Sequence, residues 1–187
     1  MTRTIALATA VVALSLAACG SDDTDSAGST GDHNDTDVAF AQQMIPHHAQ
    51  AVDMSDIVLA KDGVDARVAD LAEEIKAAQT PEIDVMAGWL SDWDEEVPPT
   101  AGTQDMGGME MDGMMSAEDM TDLEEADADR ASRLFLGQMT EHHVGAIDTA
   151  EQEVDGGSYP EAIDLAETII ETQQAEITRM EELLRTL

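Results

Sequence analysis

Two short stretches hold four of the five histidines in this chain of 187 residues: QMIPHH at 43–48 and QMTEHH at 138–143. In each, a methionine stands three residues before a His-His pair. Positions i, i+3 and i+4 share one face of a helix, so Met44 can converge with His47 or His48, and Met139 with His142 or His143. Imidazole binds both copper oxidation states, whereas a soft, neutral thioether selects Cu(I), or its mimic Ag(I), over iron, zinc or calcium. Helical di-iron bundles carry Glu rather than Met at the first position of this spacing, because hard carboxylates suit iron. Methionine there removes the charge that would stabilise a ferric pair. The spacing therefore points to copper binding and away from an oxidase. A competing, architectural reading has the imidazoles hydrogen-bonding to inward carboxylates and fixing helix register. Recurrence of the thioether in both halves favours the metal, since packing alone needs no sulfur three residues before an imidazole.

The elements that must present these residues are themselves duplicated. FAQQMIPHHAQAVDM (40–54) aligns with FLGQMTEHHVGAIDT (135–149), and Gln79-x-x-Glu82-Ile83-x-x-Met86 aligns with Gln173-x-x-Glu176-Ile177-x-x-Met180. Gly63 and Gly156-Gly157 mark the turns. The pattern predicts a tandem helix-turn-helix unit, hence an all-α four-helix bundle, about the smallest set of helices that encloses a core. Stepping along the first helix, Phe40, Met44, Ala51, Ser55 and Val58 fall within an arc of about 60°, flanked by His47 and His48. Gln50 and Asp53 point away from that arc. In the second helix Val68, Leu71, Ile75 and Met86 form the apolar stripe, with Glu82 inside it; Glu176 lies likewise among Leu165, Ile169 and Met180. An inward carboxylate is costly unless paired or metal-bound, so Glu82 and Glu176 are expected to satisfy the histidines. They, with Met86 and Met180, are candidate supporting residues. Pro46 and Pro81 interrupt the first repeat only, where proline removes a backbone donor and kinks a helix, so the halves are not equivalent.

Repeat one spans 38–95 and repeat two 130–187. Between them, 97–120 is a Gly-rich, Met-rich linker in which Pro98-Pro99 ends the first unit and Ser116–Asp119 has the form of a capping box. It holds six of the twelve methionines. Met106, Met109, Met111, Met114 and Met115, together with Met120, read as a weak, labile copper-capturing segment, because oxidisable methionine is an unusual choice for a solvated loop.

Composition supports the helices: aromatics are 3%, leaving Ala, Leu, Ile, Val and Met to build the core. Formal net charge is −33, from 41 acidic and 8 basic residues, which repels nucleic acid and attracts cations. The acidity suits a solvated surface in extracellular conditions. Residues 1–18 read as a lipoprotein signal peptide, with Arg3, an apolar stretch from Ile5 to Ala18 and a lipobox-like LAAC. Cys19, the sole cysteine, is the expected lipidation site, so the domain would sit outside the cytoplasm on a membrane anchor. Residues 19–36 read as a flexible tether, in which His33 is solvated and has no role. Without Cys19 the domain at 37–187 has no thiolate, and any metal must be held by His, Met and carboxylates.

The Met-Ile-Pro-His-His and Phe-Leu-x-x-Met-x-x-His-His stretches, with the two Gln-x-x-Glu-Ile-x-x-Met blocks, resemble the bacterial domain-of-unknown-function family 305 over about 37–187. The resemblance implies a ferritin-like helical bundle and, from some members, extracytoplasmic copper binding linked to copper tolerance. By position it implies Met44, His47, His48 and Met54 as ligands, then Met139, His142 and His143, with Thr149 standing where the first repeat has Met54. The expected activity is thus copper buffering, delivery or resistance without catalytic turnover, with a metal-transfer partner unidentified. The rivals are a ferritin-like di-metal redox enzyme, which would need more inward carboxylates, and a structural helical module.

Overall fold

A computed structural model of the protein describes residues 32–100 and 112–187. Five helices follow in order: α1 (Asp35–Leu59), α2 (Ala66–Asp92), the short α3 (Ala117–Glu125), α4 (Ala128–Gly156) and α5 (Pro160–Thr186). The described residues contain no strand. The expected signal peptide, Cys19, the expected tether as far as residue 31, and Met106, Met109 and Met111 lie outside them.

Helix starts follow local chemistry. Asn34 caps α1, accepting from the Thr36 and Asp37 amides while Asp37 returns a bond to the Asn34 amide, so two orphan donors are satisfied reciprocally. The domain therefore begins inside the expected tether. Ser116 and Asp119 form the same box at α3, and Pro160 opens α5 at a position that needs no amide donor. Both α1 and α2 run on through Pro46 and Pro81. Gly63, at φ 91°, turns the chain between α1 and α2 in a conformation that favours glycine.

The four long helices alternate in direction, and their apolar faces form two separate clusters. One gathers Ala51, Met54 and Val58 of α1, Val68, Leu71 and Ile75 of α2, Phe135, Leu136 and Met139 of α4, and Met180 and Leu183 of α5. The other gathers Phe40, Met44 and Ile45, Met86 and Leu90, Ala146 and Ala150, and Ala162, Ala166 and Ile169. Each large buried side chain contributes about 1.5–3 kcal/mol. On every long helix the sequence between the two clusters is polar: His47-His48, Gln79 to Glu82, His142-His143, and Gln173 to Glu176. A polar layer thus crosses the bundle at mid-height, with approximate twofold symmetry relating the repeats.

Three expectations need correction. Gln50 does not face solvent: it is 1% exposed, and it clasps the Met115 backbone, its amide donating to the carbonyl at 2.9 Å and its oxygen accepting from the amide at 2.7 Å. The second half of the linker is not loose either. Met120 is buried in the first cluster and Met115 packs against it, because α3 lies across α1 and α4. His33 stacks on Trp93, ring centroids 4.4 Å apart, instead of standing free in a tether.

Candidate metal centre

All four paired histidines are fully buried. His47 and His142 meet across the α1/α4 seam with ring centroids 3.7 Å apart and ring planes tilted by 37°, so one histidine of each Met-x-x-His-His motif reaches the same point. His48 and His143 lie outside this pair, 6.5 and 6.4 Å from their chain neighbours, centroid to centroid. Each is held by the glutamate of its own repeat, Nε2 of His48 on Oε2 of Glu82 and Nε2 of His143 on Oε2 of Glu176, both at 2.7 Å. The expected satisfaction of inward carboxylates by histidine is therefore present in both halves. With Nε2 held by the carboxylate, Nδ1 is the nitrogen of each ring left without a protein partner, the arrangement of carboxylate-anchored metal histidines.

The remaining nitrogens have no partner. Nδ1 and Nε2 of His47 and His142, and Nδ1 of His48 and His143, are buried and make no hydrogen bond. Burial pushes the His47 and His142 imidazoles well below their ordinary value, and the neighbouring imidazoles push the same way; a backbone group of the facing histidine offsets this only in part. Both rings are thus neutral near pH 7, each with a free lone pair. Six buried, unpartnered nitrogens in one layer is an uncommon arrangement, since such groups are normally bonded.

The thioethers bracket this layer. Met54, Met139 and Met180 are buried in the cluster on one side, and Met44 and Met86 in the cluster on the other. The two motif methionines are therefore separated: because α1 and α4 run in opposite directions, Met44 and Met139 sit on opposite sides of the histidines. Thr149, in the place of Met54, bonds its own helix at the Gly145 carbonyl. Met180 also lies 3.8 Å from the Thr140 hydroxyl. Among the described residues, no three His, Cys, Asp or Glu side chains are grouped to hold an ion. A soft ion would have to use the two facing imidazoles, alone or with thioether donors, and a two-nitrogen or nitrogen–sulfur set fits the preferences of Cu(I).

Two polar residues of the layer carried no expected role. Gln79 and Gln173 are 3% and 2% exposed, and the side-chain oxygen of each lacks a partner. Their signal was present in the recurring Gln-x-x-Glu, which sets each glutamine on the same helix face as a histidine-bound glutamate.

The chain matches known proteins over most of its length. The profile of the domain of unknown function DUF305 covers residues 37–184. A DUF305 fragment from Deinococcus radiodurans is 30% identical, with 82% of this chain and 98% of that one covered and a TM-score of 0.72. A DUF305 protein from Streptomyces coelicolor is 34% identical, with coverages of 81% and 93% and a TM-score of 0.73. CopM, solved in a Cu(I)-bound form, is 30% identical, with coverages of 82% and 98% and a TM-score of 0.66. None of the curated proteins matches the chain. Profile, fold and near-complete coverage of each relative agree: this chain belongs to the DUF305 family.

Proposed function

We propose that this protein binds copper, preferentially as Cu(I), at the buried histidine layer, and that it buffers, delivers or sequesters the ion outside the cytoplasm without turning over a substrate. One observation carries the reading: six unpartnered imidazole nitrogens converge between two apolar clusters that hold the candidate thioethers. Leaving a buried polar group unbonded costs about 1–3 kcal/mol, and a bound cation would recruit the one free lone pair of each neutral ring. Glu82 and Glu176, on the outer histidines, supply negative charge that lowers the cost of holding a cation in a dry layer. CopM, described in Cu(I)-bound, Cu(II)-bound and Ag-bound forms, supports both the metal and its softness.

The ligands in this reading are His47 and His142, with thioethers drawn from Met44, Met54 and Met139, while His48 and His143 stand beside them, anchored by Glu82 and Glu176. The di-metal redox alternative finds only two carboxylates in the layer, each tied to a histidine. The register alternative accounts for His48 and His143 but leaves the facing pair unexplained. Extracytoplasmic placement rests on the lipobox-like stretch ending in Cys19 and on the Streptomyces coelicolor relative, described as a candidate secreted protein. No helix among the described residues is long and apolar enough to cross a membrane; the anchor in this reading is a lipid on Cys19, at the end of the lipobox-like stretch.

An anaerobic Cu(I) titration against a competing chelator tests the reading. The protein is compared with a variant in which Met106, Met109, Met111, Met114 and Met115 are replaced by leucine. Tight binding that survives the replacement places the ion in the bundle. Binding lost with the linker methionines, or absent from both proteins, refutes the histidine centre.

A further inference from the structure

The four histidines have no exposed surface, so an ion must pass between helices to reach them. The two open seams of the bundle differ. At the α1/α4 seam, residues 112–116 and α3 lie across both helices. Gln50 clasps the Met115 backbone from α1, and α4 meets the strap at Gly145, where an added Cβ would fall 2.0 Å from the Asp112 carbonyl oxygen. Main chain seals that side directly above His142. On the opposite side, α2 and α5 touch each other far less than either touches its own hairpin partner. They leave a cleft lined by Gln79, Glu82, Gln173 and Glu176 together with the apolar Ile169, with Ala78 and Thr172 at its rim and about 10 Å³ of interior space, room for one water or one bare ion.

The cleft reaches the histidine layer through the carboxylates of Glu82 and Glu176. The Glu82 and Glu176 side chains are 20% and 14% exposed, and each carboxylate also touches a wholly buried histidine at 2.7 Å. Beside them, the buried and unpartnered amide oxygens of Gln79 and Gln173 face the same space. From this geometry we infer that the α2/α5 cleft is the port through which a soft monovalent cation reaches and leaves the histidine centre, with Glu82 and Glu176 as its charged mouth and the two glutamine oxygens as its throat. The inference rests on the copper reading above. It follows from symmetry as well: Gln-x-x-Glu recurs because both halves of the duplicated unit line one passage.

A port governs rates and leaves equilibrium alone, which separates it from a ligand. Cu(I) uptake from its bicinchoninate complex, and release to excess bicinchoninate, are followed anaerobically by stopped-flow absorbance. Ala78→Leu with Thr172→Leu narrows the rim with apolar side chains that are not candidate ligands. Uptake and release should both slow by about tenfold, with affinity unchanged. Glu82→Gln with Glu176→Gln, which preserves shape, should slow uptake by about tenfold or more at low salt and flatten its salt dependence; because these carboxylates also offset the charge of the bound ion, this variant should weaken binding as well, and only its uptake rate bears on the port. Unchanged rates in the leucine variant overturn the port, as does a loss of affinity in place of rate. Should the leucine pair not fold, an uptake rate indifferent to loss of both charges overturns it equally. Failure of the unaltered protein to take up Cu(I) at all would sink the copper reading itself, an outcome distinct from either change in rate.

Discussion

Replacing His47 and His142 together by leucine should make the protein more stable and unable to bind copper tightly. Each imidazole places two unpartnered nitrogens in a layer with no solvent exposure. At the low end of the penalty for a buried unsatisfied group, about 1 kcal/mol per nitrogen, the pair costs about 4 kcal/mol. Leucine removes that cost and joins the two apolar clusters above and below. Imperfect fit of the branched side chains returns about 1–2 kcal/mol. The net gain is about 2–3 kcal/mol, which for a domain of this size raises the midpoint of thermal unfolding by about 5–10 °C. Replacing His48 and His143 by leucine should do the opposite on a smaller scale, because it strips Glu82 and Glu176 of their 2.7 Å partners while both carboxylates stay partly solvated.

The assay is thermal and urea unfolding of metal-free protein in chelator, alongside Cu(I) competition. A double leucine variant that is less stable than the parent would show that the facing histidines hold the bundle in register. The reasoning from orphaned nitrogens would then fail, whatever the binding result. Sites kept for function at a cost to stability are the expected signature of a binding centre.

Two glycines of α4 should respond in opposite senses. Nothing lies within 4 Å of a Cβ built on Gly137, so Gly137→Ala should stabilise by about 1 kcal/mol through helix propensity. Gly145→Ala gains the same propensity but drives the strap off, forfeiting the Gln50–Met115 hydrogen bonds and the Met115 packing, for a net loss of about 1–2 kcal/mol; urea unfolding and protease cleavage near residue 112 read both. A third prediction concerns pH. Glu153 is buried beside Asp37, and burial, then the neighbouring Asp37 carboxyl, push its carboxyl from 4.5 up to about 8. The folded protein keeps a proton there that the unfolded chain has released, so this contribution is complete below pH 4.5 and disappears as pH rises through about 8. Glu153→Gln should flatten that decline in melting temperature, and parallel pH profiles for the two proteins would refute the pairing.

Much of this was legible in the sequence because helix periodicity fixes which face a residue occupies. The duplicated Phe, Gln-Met and His-His pattern gave the hairpins, and the inward placement of Glu82 and Glu176 gave their pairing with histidine. Periodicity says nothing about which faces meet, however. Whether His47 would confront His142 or lie far from it depends on the α1/α4 crossing, a relation between residues ninety-five positions apart. Gln50 was misread for the same reason: it does point away from its helix's core arc, but a strap from the linker arrives to cover it. Asp37 shows the limit in another form. It is the first residue after the expected tether, yet it is fully buried and accepts from the Ser158 and Tyr159 amides, tying the start of α1 to the α4–α5 turn. Only long-range contact reveals that role.

One pair of diverged positions serves the linker, while the His, Gln and Glu of the layer stay matched. Gln50 and Gly145 occupy equivalent places in the two halves, and both seat the strap, one by reaching out to it and the other by making room. The layer keeps its His-His, Gln and Glu in both copies. A duplicated hairpin cannot put one histidine on its symmetry axis without putting the copy there too, and His47 and His142 meet at 3.7 Å. Two monovalent ions that close would repel by about 4 kcal/mol at an effective dielectric constant of about 20. One ion held between the halves avoids that repulsion and uses a nitrogen from each. On the copper reading the symmetry therefore implies a single shared centre, with thioethers above and below it, in place of one independent site per repeat.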